Sequence, residues 1–479
     1  MMPVTSKAFR VRTGVGTRID THHRGVFVVA DQRTTRRLSA LGDAGESRRT
    51  AWGLTGVLVL MYMVNFADKA VLGIIAQPLA HELGLSSSEI GLAGSVFFLM
   101  LSLGGLLSGV LDRWLGLRWA LAILAILWSV AMLPLIVAAG FATLLASRML
   151  LGLAEGPNSA LLYTATYSWH PPARRGLPGA LLACAASIAK IAIAPMLAYV
   201  AVAWGWRSAL VALSIIGLGW CVLWLLVWSE GPYRRRDTSP ADGGGDSAAP
   251  HGEAEPAVPW TRIFRSPTFV GGALIVISVY ALVSVVLTWL PSYFETGLGY
   301  SRLQAGSMFS IPSLFGLVIM LSSTWFSDRL VVRGVSMRTA RVILPVVGLV
   351  IGGCILATLP YITTPVFAVL VVSIGYAVGS PVFPLLNAAV AELCPPRQVA
   401  GTLGVFLSLM AIGGFIAPYL MGRIVDAAAT SAGGYATAFQ ILGVVAVAAG
   451  LLGALIIDPE RDKRRLRGLA AGDVPQQGI

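Results

Sequence analysis

Charge is scarce in this chain. Asp, Glu, Lys and Arg make up 12% of its 479 residues, where a soluble domain carries about 25%. A fold with a water-covered surface is thereby excluded. Cysteine is scarcer still: Cys184, Cys221, Cys354 and Cys394 sit within or beside apolar stretches and show no metal-ligand spacing. A disulfide framework is excluded, and each reads as a free apolar thiol. There is no phosphate-cradling glycine loop, no nucleophile motif and no metal spacing, and the 53 Gly are dispersed through apolar stretches. No enzyme, no ATP-driven pump, no cofactor and no metal is expected. The long apolar runs lack strand-like alternation, which excludes a membrane β-barrel. Residues 1–51 contain no apolar core, so no cleavable signal peptide is expected.

What is present is apolar: 56% of residues are hydrophobic, with a mean hydropathy of +0.77. A membrane helix needs about 20 apolar residues. Twelve such stretches follow in order, near 54–76, 90–111, 119–139, 142–164, 177–202 and 207–228, then 270–291, 304–325, 341–360, 364–386, 400–421 and 437–457. The class is therefore all-α and polytopic. The net charge of +12 is spread over alternate loops. Arg113 and Arg118 follow span two, Arg174 and Arg175 span four, Arg234, Arg235, Arg236, Arg262 and Arg265 span six, and Arg329, Arg333, Arg338 and Arg341 span eight. This positive-inside pattern puts both termini in the cytoplasm. It accounts for the basic excess without a nucleic-acid partner, leaving membrane lipid as its surroundings.

The organisation predicts a cytoplasmic tail over 1–51, disordered and without assigned function. A six-helix unit over 52–228, a flexible polar linker over 229–267, a second six-helix unit over 268–457 and a cytoplasmic tail over 458–479 follow. The units share landmarks. Gly156-Pro157 pairs with Ser380-Pro381, Pro171-Pro172 with Pro395-Pro396, Ala194-Pro195 with Ala417-Pro418 and Asp112-Arg113 with Asp328-Arg329. Two such halves create a midplane cavity, and rocking one against the other gives alternating access.

Charged residues inside spans need a reason, because each costs roughly 2.5–3.5 kcal/mol at the helix centre on insertion scales. Arg148, Gly152 and Glu155 stand at i, i+4 and i+7 on one helical face, and Asn65, Asp68 and Lys69 at i, i+3 and i+4 on another. If both faces meet, they form a nearly neutral cluster, read either as a structural salt-bridge network or as a site. Burial disfavours an ionised carboxylate, and a neighbouring cation favours it. Asp68 and Glu155 are thus candidate proton acceptors. Protonation would free Lys69 or Arg148 for a substrate carboxylate. Lys190 stands mid-span, out of reach of the interface, as partner to an acidic residue or as a second substrate cation. Tyr62, Asn158, Tyr163, Tyr280, Trp289, Tyr376 and Asn387 are candidate cavity residues, Asn158 and Asn387 the better ones because an unpaired amide in lipid is costly. His170 is expected solvated in a cytoplasmic loop.

Four segments carry a family resemblance: Asn65-Phe66-Ala67-Asp68-Lys69, Arg148…Gly152-Leu153-Ala154-Glu155-Gly156-Pro157, Thr288-Trp289-Leu290-Pro291-Ser292-Tyr293 and Ser327-Asp328-Arg329-Leu330…Arg333-Gly334. Over residues 52–457 the chain resembles the major facilitator superfamily, in particular its anion:cation symporter branch. The resemblance implies two pseudo-symmetric six-helix bundles and proton-coupled import of a small organic anion, a carboxylate above all, across a bacterial inner membrane by a monomer. It implies proton coupling at Asp68 and Glu155 and anion binding at Lys69 and Arg148; Asn65, Asn158 and Lys190 join them as substrate-binding candidates on the reading of the residues themselves. Asp112-Arg113 and Asp328-Arg329 resemble a gating motif whose Asp caps a neighbouring helix and whose Arg pairs across the halves. Two departures point to a less hydroxylated substrate than a sugar acid: Lys69 where the family commonly has Arg, and Ser408 where it often has Asn. A proton-driven exporter and a transporter-like solute sensor are the alternatives. Against export, the Gly-Pro motif of related exporters is missing from span five, where Ala183 to Lys190 stand.

Overall fold

A computed structural model describes residues 32–171, 174–233, 258–395, 398–466 and 468. Contacts divide the chain into Met1–Thr50 and Ala51–Ile479; the membrane helices are those of the second unit. Helix is already present from Gln32, inside the tail expected to be disordered, and residues 1–31 lie outside the described set. The same holds for linker residues 234–257, whereas Trp260–Phe264 at the linker's end is helical. The expected C-terminal tail begins with another helix, Pro459–Leu466.

Eleven described helices are long and apolar enough to cross a membrane: α1 (Arg48–Leu83), α2 (Ser87–Gly105), α3 (Ser108–Val137), α5 (Leu177–Trp204), α6 (Trp206–Val227), α7 (Pro267–Gly297), α8 (Arg302–Val332), α9 (Thr339–Tyr361), α10 (Pro365–Ala391), α11 (Gly401–Ala427) and α12 (Ser431–Ile456). The twelfth, α4, falls between the third and the fourth of these. It comes as two pieces, Phe141–Glu155 and Asn158–Tyr167, because Pro157 has no N–H to continue the ladder. α10 breaks at the matching place, between Val378 and Val382 beside Pro381. Twelve helices in this order are the expected arrangement, with both halves interrupted at one landmark.

The repeat extends to the ends of α2 and α8. Each starts with a capping box. The Ser86 hydroxyl accepts from the Glu89 amide and Glu89 accepts from the Ser86 amide; Ser301 and Gln304 do the same. Beyond each Asp-Arg pair the chain turns at a glycine in the left-handed region, Gly116 at φ 67° and Gly334 at φ 83°, where a Cβ would be strained. Gly116 also corrects the boundaries of spans two and three. The helix recorded from Ser108 changes direction there, so Asp112 and Arg113 end the second span rather than sit in a loop.

The halves meet tightly at one end, along α2 and α11. A Cβ on Gly91 would strike the Pro418 carbonyl, and one on Gly422 the Ser87 carbonyl. Small residues permit this backbone approach. Side chains then tie it down: Trp289 Nε1 donates to the Pro418 carbonyl at 2.9 Å, and Ser95 Oγ accepts from the Tyr419 amide at 3.1 Å. Asp426, at the end of α11, accepts from the Ser87 and Ser88 amides at 2.9 and 2.7 Å and from the Ser88 hydroxyl. A carboxylate from one half thereby caps a helix N-terminus of the other.

Candidate functional site

The cluster is built from α1 and α4. Asn65, Asp68 and Lys69 are all buried, as are Arg148 and Glu155. Lys69 Nζ donates to Asn65 Oδ1 one turn back and lies 3.5 Å from Glu155 Oε2 and 4.5 Å from the Phe66 ring centroid. Asp68 lies within electrostatic range of Glu155, Lys69 and Arg148, but no hydrogen bond or ion pair within 4.0 Å holds it. The two sequence-predicted faces do meet, through Lys69 and Glu155.

Arg148 is positioned differently. Its guanidinium rests on the Phe97 ring of α2, 4.2 Å from the centroid. Gly152 makes this possible, since a Cβ there would run into the Phe97 carbonyl and lie 3.1 Å from the Leu101 amide. The Arg148–Gly152–Glu155 face is thus pressed onto α2 as well as turned to α1. Phe97 is the functional neighbour that periodicity alone did not single out.

The site is rich in unsatisfied polar atoms. Arg148 Nε and Nη1, both Glu155 carboxyl oxygens, Asn65 Nδ2 and both amide atoms of Asn158 are enclosed without a hydrogen-bond partner. Enclosed polar groups are ordinarily bonded, and leaving one unbonded is costly. Five of these atoms belong to Asn65, Arg148 and Glu155 of the one cluster. Among the described residues no group of three or more His, Cys, Asp or Glu side chains fits a metal ion.

Aromatic side chains connect this spot to the second half. Tyr62 hydrogen-bonds Ser159 at 2.9 Å. Tyr280 of α7 stands edge-on to Phe98 at 5.7 Å and to Phe383 at 6.3 Å, within electrostatic range of Tyr62, Glu155 and Tyr376. Lys190, buried on α5, reaches the Tyr376 hydroxyl of α10 at 3.3 Å. It has no carboxylate within 4.0 Å. Of the two readings of Lys190, the acidic partner is therefore missing among the described residues.

Several candidates lie elsewhere. Ser408 turns its hydroxyl back to the Gly404 carbonyl of its own helix at 2.8 Å. Trp289 belongs to the α2–α11 seam, Tyr163 packs on Tyr167 at 5.7 Å, and Asn387 Oδ1 is enclosed and unbonded. Of the gating residues, Arg113, Asp328 and Arg329 are exposed and form no ion pair, whereas Asp112 is half-buried; Arg329 stacks on Trp325, 3.8 Å away on its own helix. The expected Arg pairing across the halves is not made in this conformation. His170 is a correction. It is buried, not solvated, with Nε2 2.9 Å from Thr55 Oγ1 and its ring edge-on to Trp52 at 5.1 Å. Burial pushes its pKa below the ordinary histidine value. The Asp426 latch was not anticipated either: Ser86 to Glu89 signals a helix start, but no local pattern points to a partner 338 residues away. An apolar cavity of about 430 Å³ between α7, α11 and α12 holds none of the charged residues.

The model of the Major Facilitator Superfamily matches residues 58–418 and 342–475. Over 420 residues the chain is 26% identical to the probable sulfoacetate transporter SauU of Cupriavidus necator, covering 86% of this chain and 94% of that protein. It is 28% identical over 441 residues to the probable galactarate/D-glucarate transporter GudP of Bacillus subtilis, with 88% and 95% covered. A D-galactonate transporter of Escherichia coli is 27% identical over 416 residues, with 84% and 94% covered. Among solved structures, a bacterial homolog of the human lysosomal transporter Spinster, inward-facing and occupied, matches with a TM-score of 0.69 at 18% identity, covering 85% of this chain and 96% of that one. A D-xylose–proton symporter matches at 0.68 and 17%, covering 86% and 99%. At such identities these two establish the fold alone.

Proposed function

We propose that this chain, which belongs to the Major Facilitator Superfamily and is a membrane transporter rather than an enzyme, imports a small organic anion together with protons by alternating access. The observation that carries this reading is the Lys69–Glu155 pair, buried beside Asp68 and an Arg148 whose Nε and Nη1 have no acceptor. A purely structural network would satisfy its own donors; this one leaves them open. The relatives' names support an acid as substrate, since they transport sulfoacetate, galactarate or glucarate, and galactonate. Loop charge supports cytoplasmic termini, and the bacterial relatives support a bacterial inner membrane.

The mechanism follows from electrostatics. With Glu155 ionised, Lys69 is held by it and by Asn65. A proton on Glu155 removes that attraction and frees the ammonium, which then joins Arg148 in facing an anion. Arg148 offers a planar fork to a carboxylate, and Lys69 a point charge. An anion in turn favours the protonated cluster, because it replaces the charge that the proton cancelled. This reciprocity couples the two solutes. Asp68 is the second carboxylate of the exchange, and Asn65 and Asn158 supply hydrogen bonds to the bound acid. The membrane potential adds about 2.3 kcal/mol per net positive charge carried per 100 mV. Resetting breaks the α2–α11 seam at one end while Arg113 and Arg329 engage at the other.

The test is uptake of labelled sugar acids, aromatic acids and dicarboxylates into proteoliposomes, with and without an imposed inward proton gradient. Gradient-dependent accumulation of one acid is expected. No accumulation of any acid by folded protein overturns the reading, and accumulation indifferent to the gradient overturns the coupling.

A further inference from the structure

The buried charges of the membrane helices do not balance. Two are acidic, Asp68 and Glu155, and three are basic, Lys69, Arg148 and Lys190. The odd one is Lys190. It is only 7% exposed, and among the described residues its ammonium has one polar partner, Tyr376: the hydroxyl at 3.3 Å and the ring centroid at 5.5 Å. Both are weak compensation for a full charge. It stands midway along α5, roughly 20 Å from either end at 1.5 Å per residue. A lysine stem does not snorkel that far.

The backbone around Lys190 is also unusual. Pro195 cannot donate to the helix ladder, and Ala194 reaches back five residues to the Ala189 carbonyl. This widens α5 into a π-turn over Ala189–Ile193. Such bulges inside α-helices are frequent at functional sites. Here the bulge carries the one buried cation of the helices that lies outside the Asp68–Glu155 cluster.

A line of ring contacts links the two places. Arg148 rests on Phe97, Phe97 meets Phe98, Phe98 meets Tyr280, and Tyr280 meets Phe383 of α10. Tyr376, on the same helix as Phe383, touches Lys190. A molecule bound along this line meets Arg148 and Lys69 at one end, Lys190 and the Tyr376 hydroxyl at the other, and ring faces and edges between.

We infer that the transported anion carries two acidic groups, one held by Arg148 and Lys69 and the other by Lys190 with the Tyr376 hydroxyl. The inference rests on the anion-import reading above and adds a second contact point to it. A dianion supplies the counter-charge that Lys190 lacks, and a monoacid satisfies only the first station. Tyr376 belongs to the second half, so the second acidic group also bridges the halves. Its contact with Lys190 and Tyr376 gives closure around a diacid a contribution that a monoacid does not make.

The experiment uses the full chain in detergent and matched acid pairs on one skeleton, benzoate against phthalate and butyrate against succinate. Binding is read by thermal shift and isothermal titration. At least one diacid is expected to bind roughly tenfold or more tighter than its monoacid, as one added charge-assisted contact implies. Lys190→Met is expected to bring the pair within about twofold by weakening the diacid far more than the monoacid; Lys190→Arg, which keeps the charge, restores the preference. A diacid preference that survives Lys190→Met overturns the inference, as does a wild-type protein that binds both members of every pair equally. Monoacid binding with no gain from the second acid leaves the anion reading standing. If no acid binds the folded protein, that reading and this inference both fail.

Discussion

The two halves share a backbone plan and differ in chemistry. α4 and α10 break at the same landmark, and α2 and α8 begin with the same capping box. Yet where Arg148 and Glu155 stand in α4, the positions 224 residues on hold Val372 and Gly379. Where Lys190 stands in α5, the position 223 residues on is Gly413, packed against the Ile277 carbonyl. All five buried membrane charges lie in the first half; the second contributes Tyr280, Phe383 and Tyr376. A feature present in both halves answers to folding: Pro157 and Pro381 stand at matching helix breaks, and Ser86 and Ser301 cap matching helix starts. A feature present in one half at a cost in desolvation is what the proposed solute handling requires. The second half supplies a neutral wall for the first to work against.

Substitutions can break that contrast or sharpen it. The largest effect is expected at Arg148. Arg148→Ala should lower uptake by about two orders of magnitude, and Arg148→Lys should not restore it, because the fork geometry is lost; Val372→Ala, its counterpart, should stay within about twofold. Initial-rate uptake in proteoliposomes checks both. Glu155→Gln comes next. It should abolish proton-driven accumulation while leaving counterflow exchange of pre-loaded substrate, which needs no net proton movement. Retained accumulation in both Glu155→Gln and Asp68→Asn would remove the coupling role from this cluster. Third is the seam between halves. Gly91→Val drives a side chain against the Pro418 carbonyl and should cut turnover about tenfold by wedging the closed end, with substrate binding little changed. Asp426→Asn loosens the same end by less, since its one amide oxygen still accepts while the charge and the second acceptor are lost.

The smallest effect is expected at His170, outside the spans. Its pKa is lowered in the folded protein by burial, so the unfolded chain binds a proton more readily than the folded one does. The stability it contributes is complete above the unfolded value, about 6.5, and declines as pH falls from there toward the lower folded value. Melting temperature should drop between pH 7.5 and 5.5, and His170→Gln should flatten that slope while keeping a partner for Thr55.

Much of the fold was legible in the sequence because lipid imposes a one-dimensional rule. A helix that satisfies its own backbone and shows about 20 apolar residues can be read without its neighbours. Pro157 and Pro381 were legible as repeat landmarks, but which prolines interrupt a helix was not, since Pro418 lies inside continuous α11. The helical faces of α1 and α4 were legible from the 3.6-residue period, and they meet through Lys69 and Glu155. Gly116 was harder, since a left-handed turn inside an apolar run looks like one more membrane glycine. His170 was misread because a loop is ordinarily wet; its burial depends on Trp52 and Thr55, more than a hundred residues earlier.

By itself the sequence determined the number and order of the spans and which charges lie within them, both of which follow from composition and local backbone chemistry. Only the tertiary structure decided which charges have partners. It seated Arg148 on Phe97, left Lys190 with Tyr376 in place of a carboxylate, and joined Asp426 to the start of α2. The physical reason is distance. Whether a buried charge is satisfied depends on atoms within a few ångströms of it, and in this fold those atoms come from helices that lie far apart in the chain.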